Sequence, residues 1–425
     1  METEIYFKLI LTFGLVLLAA AIGGRIAERY LKQPAVVGEL LAGIIISPFA
    51  LGGLLNDPVI LNFATINGQF ADNGATLHGF APMEIVSQIA VIALLFIAGL
   101  ETDVKAFLSH AFTGALVAIG GVIVPFTLGY FAAMYFFPDI GTVGWLFIGA
   151  VLTATSIGIT VRILMDMGRL NSKEGMIILV AAVVDDIIGL VILSIVVSMS
   201  ETGELHPLNS ILTGIIGFAV WAALLAVGVF GHKLISRFIL NPFKKSGTMP
   251  IMALIVGILV SYLVTLVDLH PVVGAYAAGL MIASTAEREE ILRVTRPVML
   301  FLAPFFFAYL GMQVDLSAIW AVILPALALV ALAIIGKIGG CYIPARLAGK
   351  VSHTGGMIVG VGMVPRGEVG LIIAGAGLLV LGDGFRDIFG IAVAVSILTV
   401  LVVPAMLKPL FRRKATSPKK SEPEP

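Results

Sequence analysis

Two adjacent carboxylates, Asp185 and Asp186, lie inside the apolar run Ala181–Leu193 of a 425-residue chain. The surrounding stretch from about 174 to 200 is long enough to cross a bilayer core, and the pair falls near its middle. An ionised aspartate at that depth costs on the order of 2.5 to 3.5 kcal/mol, so such a residue is normally paired, wetted or working. A carboxylate holds either a proton or a small monovalent cation, and competition for one site exchanges one for the other. The chemistry to which this pair points is therefore ion carriage. Three further charges stand at comparable depth: Lys337 in the run Ala333–Gly340, and Arg366 and Glu368, two residues apart. Neighbours on an α-helix point about 100° apart, so Asp185 and Asp186 cannot share one partner in one geometry. A division of labour is expected, in which one aspartate pairs with Lys337 and the other faces a water-filled cavity. For Lys337 the alternative is to bridge carbonyls freed by a broken helix.

Two stretches predict such breaks. Leu152–Thr160 concentrates Thr153, Thr155 and Ser156 beside Gly158 at mid-membrane depth, and Gly360–Gly370 places four glycines and Pro365 around Arg366 and Glu368. Proline removes a backbone donor and glycines loosen the turn, so both spans should be interrupted at corresponding places. Unwound backbone at that depth is tolerated only where it lines a cavity or is buried in protein, where its carbonyls and helix-end charges can serve an ion. Hydroxyl and carbonyl oxygens from Thr153 to Ser156 suit a hard cation such as Na⁺ or Li⁺. The competing use of these hydroxyls is back-bonding to a carbonyl one turn earlier.

The elements that must position these groups follow from composition. Hydrophobic residues make up 59% of the chain and charged residues 12%, with mean hydropathy +1.08. That is beyond what a soluble domain can bury, and the balanced formal charge excludes a basic nucleic-acid binder. Apolar runs fall near 5–24, 34–52, 84–100, 110–136, 141–165, 174–200, 208–231, 249–267, 271–285, 297–314, 318–345, 354–380 and 387–410, which gives an all-α polytopic membrane protein of about thirteen spans. The leader of the first run carries Glu2 and Glu4 where a signal peptide wants positive charge, so it is taken as a true span. Basic residues gather in alternate loops, such as Arg25, Arg29 and Lys32, Arg169 and Lys173, Arg288, Arg293 and Arg296, and in the tail. This places the N-terminus outside and the C-terminus in the cytoplasm of a cell membrane. The tail, 412–425, should be short and disordered. Cys341 reads as a small packing residue, and the six histidines, His78, His110, His206, His232, His270 and His353, as solvated residues in loops or at helix ends.

Internal repetition organises the spans. Val36–Gly43 matches Val272–Gly279, and Phe96–Asp103 resembles Ala308–Asp315, with the long outer loop around 53–82 absorbing the difference. Two five-helix units result, about 34–200 and 271–410. They begin an odd number of spans apart, so they run through the membrane in opposite senses. Such inverted repeats with crossing broken helices belong to secondary transporters. An intramembrane aspartyl protease would need its aspartates on separate helices. A channel would want charge rings or a carbonyl filter in a symmetric pore.

The Asp185–Asp186 pair, Thr153-Ala-Thr-Ser156 and Pro365-Arg-Gly-Glu368 in broken spans, and Lys337, in this order, resemble the prokaryotic monovalent cation:proton antiporters of the Nap/Kef branch. The similarity extends from the second span to about residue 410. The resemblance implies an NhaA-like antiporter fold over 1–411, with a core domain at about 84–200 and 297–410 and a dimer or scaffold domain at about 1–52 and 208–285. The scaffold glycines and alanines Gly38, Ala42, Gly43, Gly274, Ala278 and Gly279 suit close helix contact. It also implies that Asp186 binds sodium and the proton in turn, with Asp185 and the Thr153 region nearby, that Asp185 pairs with Lys337, and that Arg366 and Glu368 act as charge partners. The partners implied are a monovalent cation, protons, the lipid bilayer and a second copy of the chain, with no cofactor and no nucleic acid. Kef-type potassium systems carry a nucleotide-binding regulatory domain, which is not expected here, and tend to place Gln before the ion-binding Asp. The pair therefore resembles the sodium-translocating, electrogenic members, and potassium/proton exchange on the same fold is the alternative.

Overall fold

The computed structural model describes residues 2–47, 50, 82–202, 207–313, 323–367, 369–370, 373–374 and 386–416. Most of the outer loop 53–82, Asp315, Glu368 and much of the 354–380 run lie outside them. Within the described residues the regular structure is helical, and each apolar run has its helix. In chain order these are α1 (Glu2–Ile26), α2 (Ala35–Ile46), α3 (Pro82–Glu101), α4 (Ala111–Phe136), α5 (Gly141–Thr153), α6 (Ile157–Asp166) and α7 (Lys173–Thr202). There follow α8 (Pro207–Leu234), α9 (Met249–Thr265), α10 (Pro271–Ala283), α11 (Arg288–Met312), α12 (Ile323–Leu347), α13 (His353–Gly362) and α14 (Arg386–Thr416). Among the described residues nine spans are long and apolar enough to cross a membrane, with α5 and α6 together forming one of them, and α2, α9 and α10 are shorter apolar helices. Helices dominate because lipid offers backbone groups no hydrogen bonds.

The degree of enclosure sorts the spans. The α5–α6 span is 94% buried in its most apolar window, whereas the window in the α8 span is 22% buried and that in the α1 span 28%. The broken span therefore runs through the middle of the bundle, and α1 and α8 lie at its margin.

The two units interlock by reciprocal contacts. Helix α2 packs on α11 while α3 packs on α10, and α4 packs on α12. The first two contacts exchange equivalent helices of the two units, as a pseudo-two-fold axis requires. Glycine sets the closeness at each. A Cβ on Gly43 would stand 2.0 Å from the Ala308 carbonyl oxygen, and one on Gly279 would stand 2.1 Å from that of Phe96. The α4–α12 contact is symmetric in itself, with Gly120 and Gly340 each against the other's carbonyl. The small residues expected to suit close helix contact make such contacts inside the chain: Gly38 sits against Gly23 of α1 and Gly274 against Val260 of α9.

Two expectations are corrected. Helix α14 continues to Thr416, and Lys414 lies 2.5 Å from the buried Glu174 carboxylate, so the last helix runs five residues past the expected start of the tail. His270, expected on the surface, is half-buried at the head of α10, and that burial pushes its imidazole down to about 4.

Replacing Gly43 with Ala should lower stability by about 1 to 3 kcal/mol, because backbone rather than a movable side chain meets the new methyl. Gly189→Ala on α7, where nothing lies within 4 Å of the added carbon, should be neutral or slightly stabilising. Thermal unfolding of the two purified variants against wild type checks both.

Candidate ion-binding site

The site is built where both chain breaks cross. Helix α5 ends at Thr153, Ala154 is extended (φ −55°, ψ 133°), and α6 restarts after Ser156, whose hydroxyl oxygen caps the Ile159 amide at 3.4 Å. On the opposite unit α13 ends at Gly362, and 364–367 is non-helical. The breaks are laced together. The Ser156 amide donates to the Pro365 carbonyl at 2.8 Å, the Thr155 hydroxyl to Met363 O at 3.1 Å and the Thr160 hydroxyl to Gly362 O at 3.2 Å. The expected back-bonding is seen at Thr153, which donates to Ala150 O at 2.7 Å, while Thr155 reaches across instead.

Each break leaves carbonyls that no helix satisfies, and two buried cations take them. Lys337 Nζ donates to Thr153 O and to Asp185 Oδ1, both at 2.7 Å. Lysine and aspartate side chains are 0% and 1% exposed. Lys337 thus ties α12, α7 and the end of α5 to one point, combining the two roles that its sequence position left open. Arg366, 1% exposed, donates to Leu152 O at 2.6 Å, Val364 O at 2.8 Å and Met363 O at 3.3 Å. Its amide donates to the Thr399 hydroxyl of α14 at 3.1 Å. Arg366, expected as a charge partner, donates its side-chain hydrogen bonds to carbonyl oxygens at the ends of α5 and α13.

Asp186 follows Asp185 on α7 and points elsewhere around the helix. Expected to face water, it is only 2% exposed, so this conformation is closed over the carboxylate. Thr153, Thr155 and Ser156 are likewise buried. Asp185, Lys337, Arg366 and the hydroxyl stretch are brought together at the crossing, whereas Glu368 lies outside the described residues. Cys341 packs as expected, its Sγ 3.6 Å from Val117 O.

One cluster escaped the reading of the sequence. Arg162 on α6 lies 3.3 Å from Glu39 on α2 and 2.9 Å from Asp166. Glu39 and Arg162 are both buried. The available signal was the same as at Asp185: a charge inside an apolar run.

A family model described as "Sodium/hydrogen exchanger, transmembrane" matches residues 14–413. The high-affinity Na(+)/H(+) antiporter NhaS3 of Synechocystis sp. is 33% identical over all of this chain and 95% of its own length. The Na(+)/H(+)-K(+) antiporter GerN of Bacillus cereus is 33% identical over 99% of this chain and 100% of its own. Among solved structures, the sodium proton antiporter MjNhaP1 of Methanocaldococcus jannaschii superposes with a TM-score of 0.68 at 18% identity, covering 97% of this chain and 99% of its own; the two share their fold.

Removing one partner of a buried ion pair strands the other charge. Lys337→Met should cost about 3 to 5 kcal/mol, and adding Asp185→Asn should recover a large part of it. A double-mutant cycle of thermal unfolding in detergent measures the coupling.

Proposed function

The chain belongs to the sodium/hydrogen exchanger family, and from that premise we propose that it is a secondary active Na⁺(Li⁺)/H⁺ antiporter that works by alternating access at Asp186. The observation that carries this reading is the commitment of Lys337 to Asp185 and to the Thr153 carbonyl, both at 2.7 Å. A pair so held is the fixed half of the site. The neighbouring carboxylate is then the group that alternates between a proton and a cation. Thr153 and Thr155 commit their hydroxyl protons to carbonyls, so what they offer an ion is oxygen lone pairs, which suits a hard monovalent cation.

Exchange follows from charge alone. With a proton or Na⁺ bound, Asp186 is neutral and its surroundings can cross a hydrophobic barrier; bare, it would carry an ion into low dielectric and is held back. Proton and sodium therefore travel on alternate strokes without further coupling. If Lys337 releases its proton when sodium binds, two protons move per cation and the cycle is electrogenic. The proposed moving body is the core, about 84–200 and 297–410, which holds the crossed breaks. The proposed scaffold, about 1–52 and 208–285, includes α1 and α8 at the margin of the bundle and would form a homodimer. Lys/Arg-rich loops support an N-terminus outside and a C-terminus in the cytoplasm of the cell membrane, with cytoplasmic sodium exchanged for external protons. Potassium is the second reading, favoured by the relative GerN, a Na(+)/H(+)-K(+) antiporter.

The test uses proteoliposomes with an acidic lumen, a lumenal pH dye, and Na⁺, Li⁺ or K⁺ added outside. Dequenching on Na⁺ or Li⁺ should be abolished in Asp186→Asn, with valinomycin then reporting electrogenicity. A response to K⁺ alone would select the second reading, and an unchanged Asp186→Asn signal would refute the role of that carboxylate.

A further inference from the structure

The exchange chemistry at Asp186 makes no use of Glu39, Arg162 and Asp166. Arg162 Nη2 lies 3.3 Å from Glu39 Oε1, and its Nε lies 2.9 Å from Asp166 Oδ1. Glu39 is 3% and Arg162 5% exposed, and the guanidinium stands 5.9 Å over the Phe307 ring of α11. A charge pair this deep is costly to form and costlier to leave half-broken.

Its position gives it a use. Under the division into scaffold and core proposed above, on which this inference rests, Glu39 on α2 belongs to the scaffold and Arg162 on α6 to the core. The pair therefore crosses the seam along which the bodies would slide. Beside it lies a cavity of about 540 Å³, lined by Glu28, Lys32 and Pro34 on one side and by Asp166, Arg169 and Lys408 on the other, and bridged by the bond that Lys408 Nζ donates to the Lys32 carbonyl. Asp166 lines that cavity and Glu39 does not, so the opening ends where Glu39 meets Arg162.

We propose that Glu39 and Arg162 are positioning residues for exchange: their ion pair latches α6 to α2 in this conformation, and the core crosses only when the pair parts. The arrangement is suited to parting. Asp166 lies one turn beyond Arg162 on the same helix and also accepts from the Val36 amide of α2, so once that bond parts as well it travels with the arginine and keeps it partnered after Glu39 is left behind; an asparagine there would still accept from Val36. Only one Glu39 oxygen is engaged; Oε2 has no hydrogen-bond partner among the described residues. The adjoining cavity offers the released carboxylate a route to water.

The two carboxylates should then respond in opposite ways. In the full chain, Glu39→Gln should open the latch and raise amide hydrogen exchange in α2 and α6 by about fivefold or more. Asp166→Asn should leave that exchange within about twofold but lower turnover in proteoliposomes by about fivefold or more, because the arginine loses its travelling partner. If Glu39→Gln does not fold, Glu39→Asp, which keeps the charge and lengthens the pair, is read in the same way. Hydrogen exchange unchanged at Glu39, or the same change in both variants, would overturn the latch. A wild-type chain that exchanges no cation for protons would refute the functional reading instead, while the hydrogen-exchange comparison would still decide whether the pair holds the seam.

Discussion

The structure depends on one constraint: a lysine and an aspartate buried together at a depth where neither can stand alone. Lys337 and Asp185 are 2.7 Å apart with side chains 0% and 1% exposed. In such a medium, losing either partner costs more than the pair itself contributes. The rest of the bundle is arranged so that neither partner drifts. Asp185 is held by the long α7, Lys337 by α12, and the ammonium is fixed a second time by the Thr153 carbonyl. Gly120 and Gly340 let α4 and α12 touch backbone to backbone, and the Gly121 side of α4 packs against the Lys337 stem.

Broken helices create the second demand. A helix ending mid-bundle exposes carbonyls and the negative end of its dipole, and water is not at hand. Here two cations supply what water would. Lys337 and Arg366 cap the last carbonyls of α5, and Arg366 also caps Met363 and Val364 beyond α13. The breaks can therefore cross within the protein, where Ser156 and Thr155 bind the opposite strand directly. The cations stabilise the unwound backbone, and that backbone in turn brings its oxygens beside the aspartates.

Much of this was legible in the residues. The aspartate pair, Lys337 and the two breaks each violate the apolar pattern around them, and a violation is visible without a partner. Identifying the partner takes three-dimensional knowledge. Arg366 could answer a carboxylate or a row of carbonyls, and both suit a guanidinium; only the crossing shows that it takes carbonyls. The glycines of α2 and α10 announced a close contact, but whether with another helix of this chain or with a second copy depends on the packing of α11 and α3. Glu39 and Arg162 were missed for a related reason. Each lies in an apolar run, but their separation of 123 positions gives no sign that α2 meets α6. His270 was expected to be solvated like the other histidines, and its partial burial at the head of α10 is not written in its sequence neighbours.

The α5–α6 span joins the site to the seam. Its break presents the Thr153 carbonyl to Lys337, and its last turns carry Arg162 to Glu39 and Asp166. Between them α6 is a short buried helix with its first residues tied to the opposite unit through Ser156 and Thr160. The Ser156 amide is bonded across the break, and the side chains from Ile157 to Leu164 are buried. Under the proposed movement, a shift of α6 against α2 would reach the crossed breaks through these contacts, and a change in charge at the aspartates would reach Arg162. A neutral site and a parted Glu39–Arg162 pair would then be two conditions on the proposed movement of this span, which here carries a buried ion pair toward each end: Lys337 on Asp185 beside its break, and Arg162 on Glu39 in its last turns.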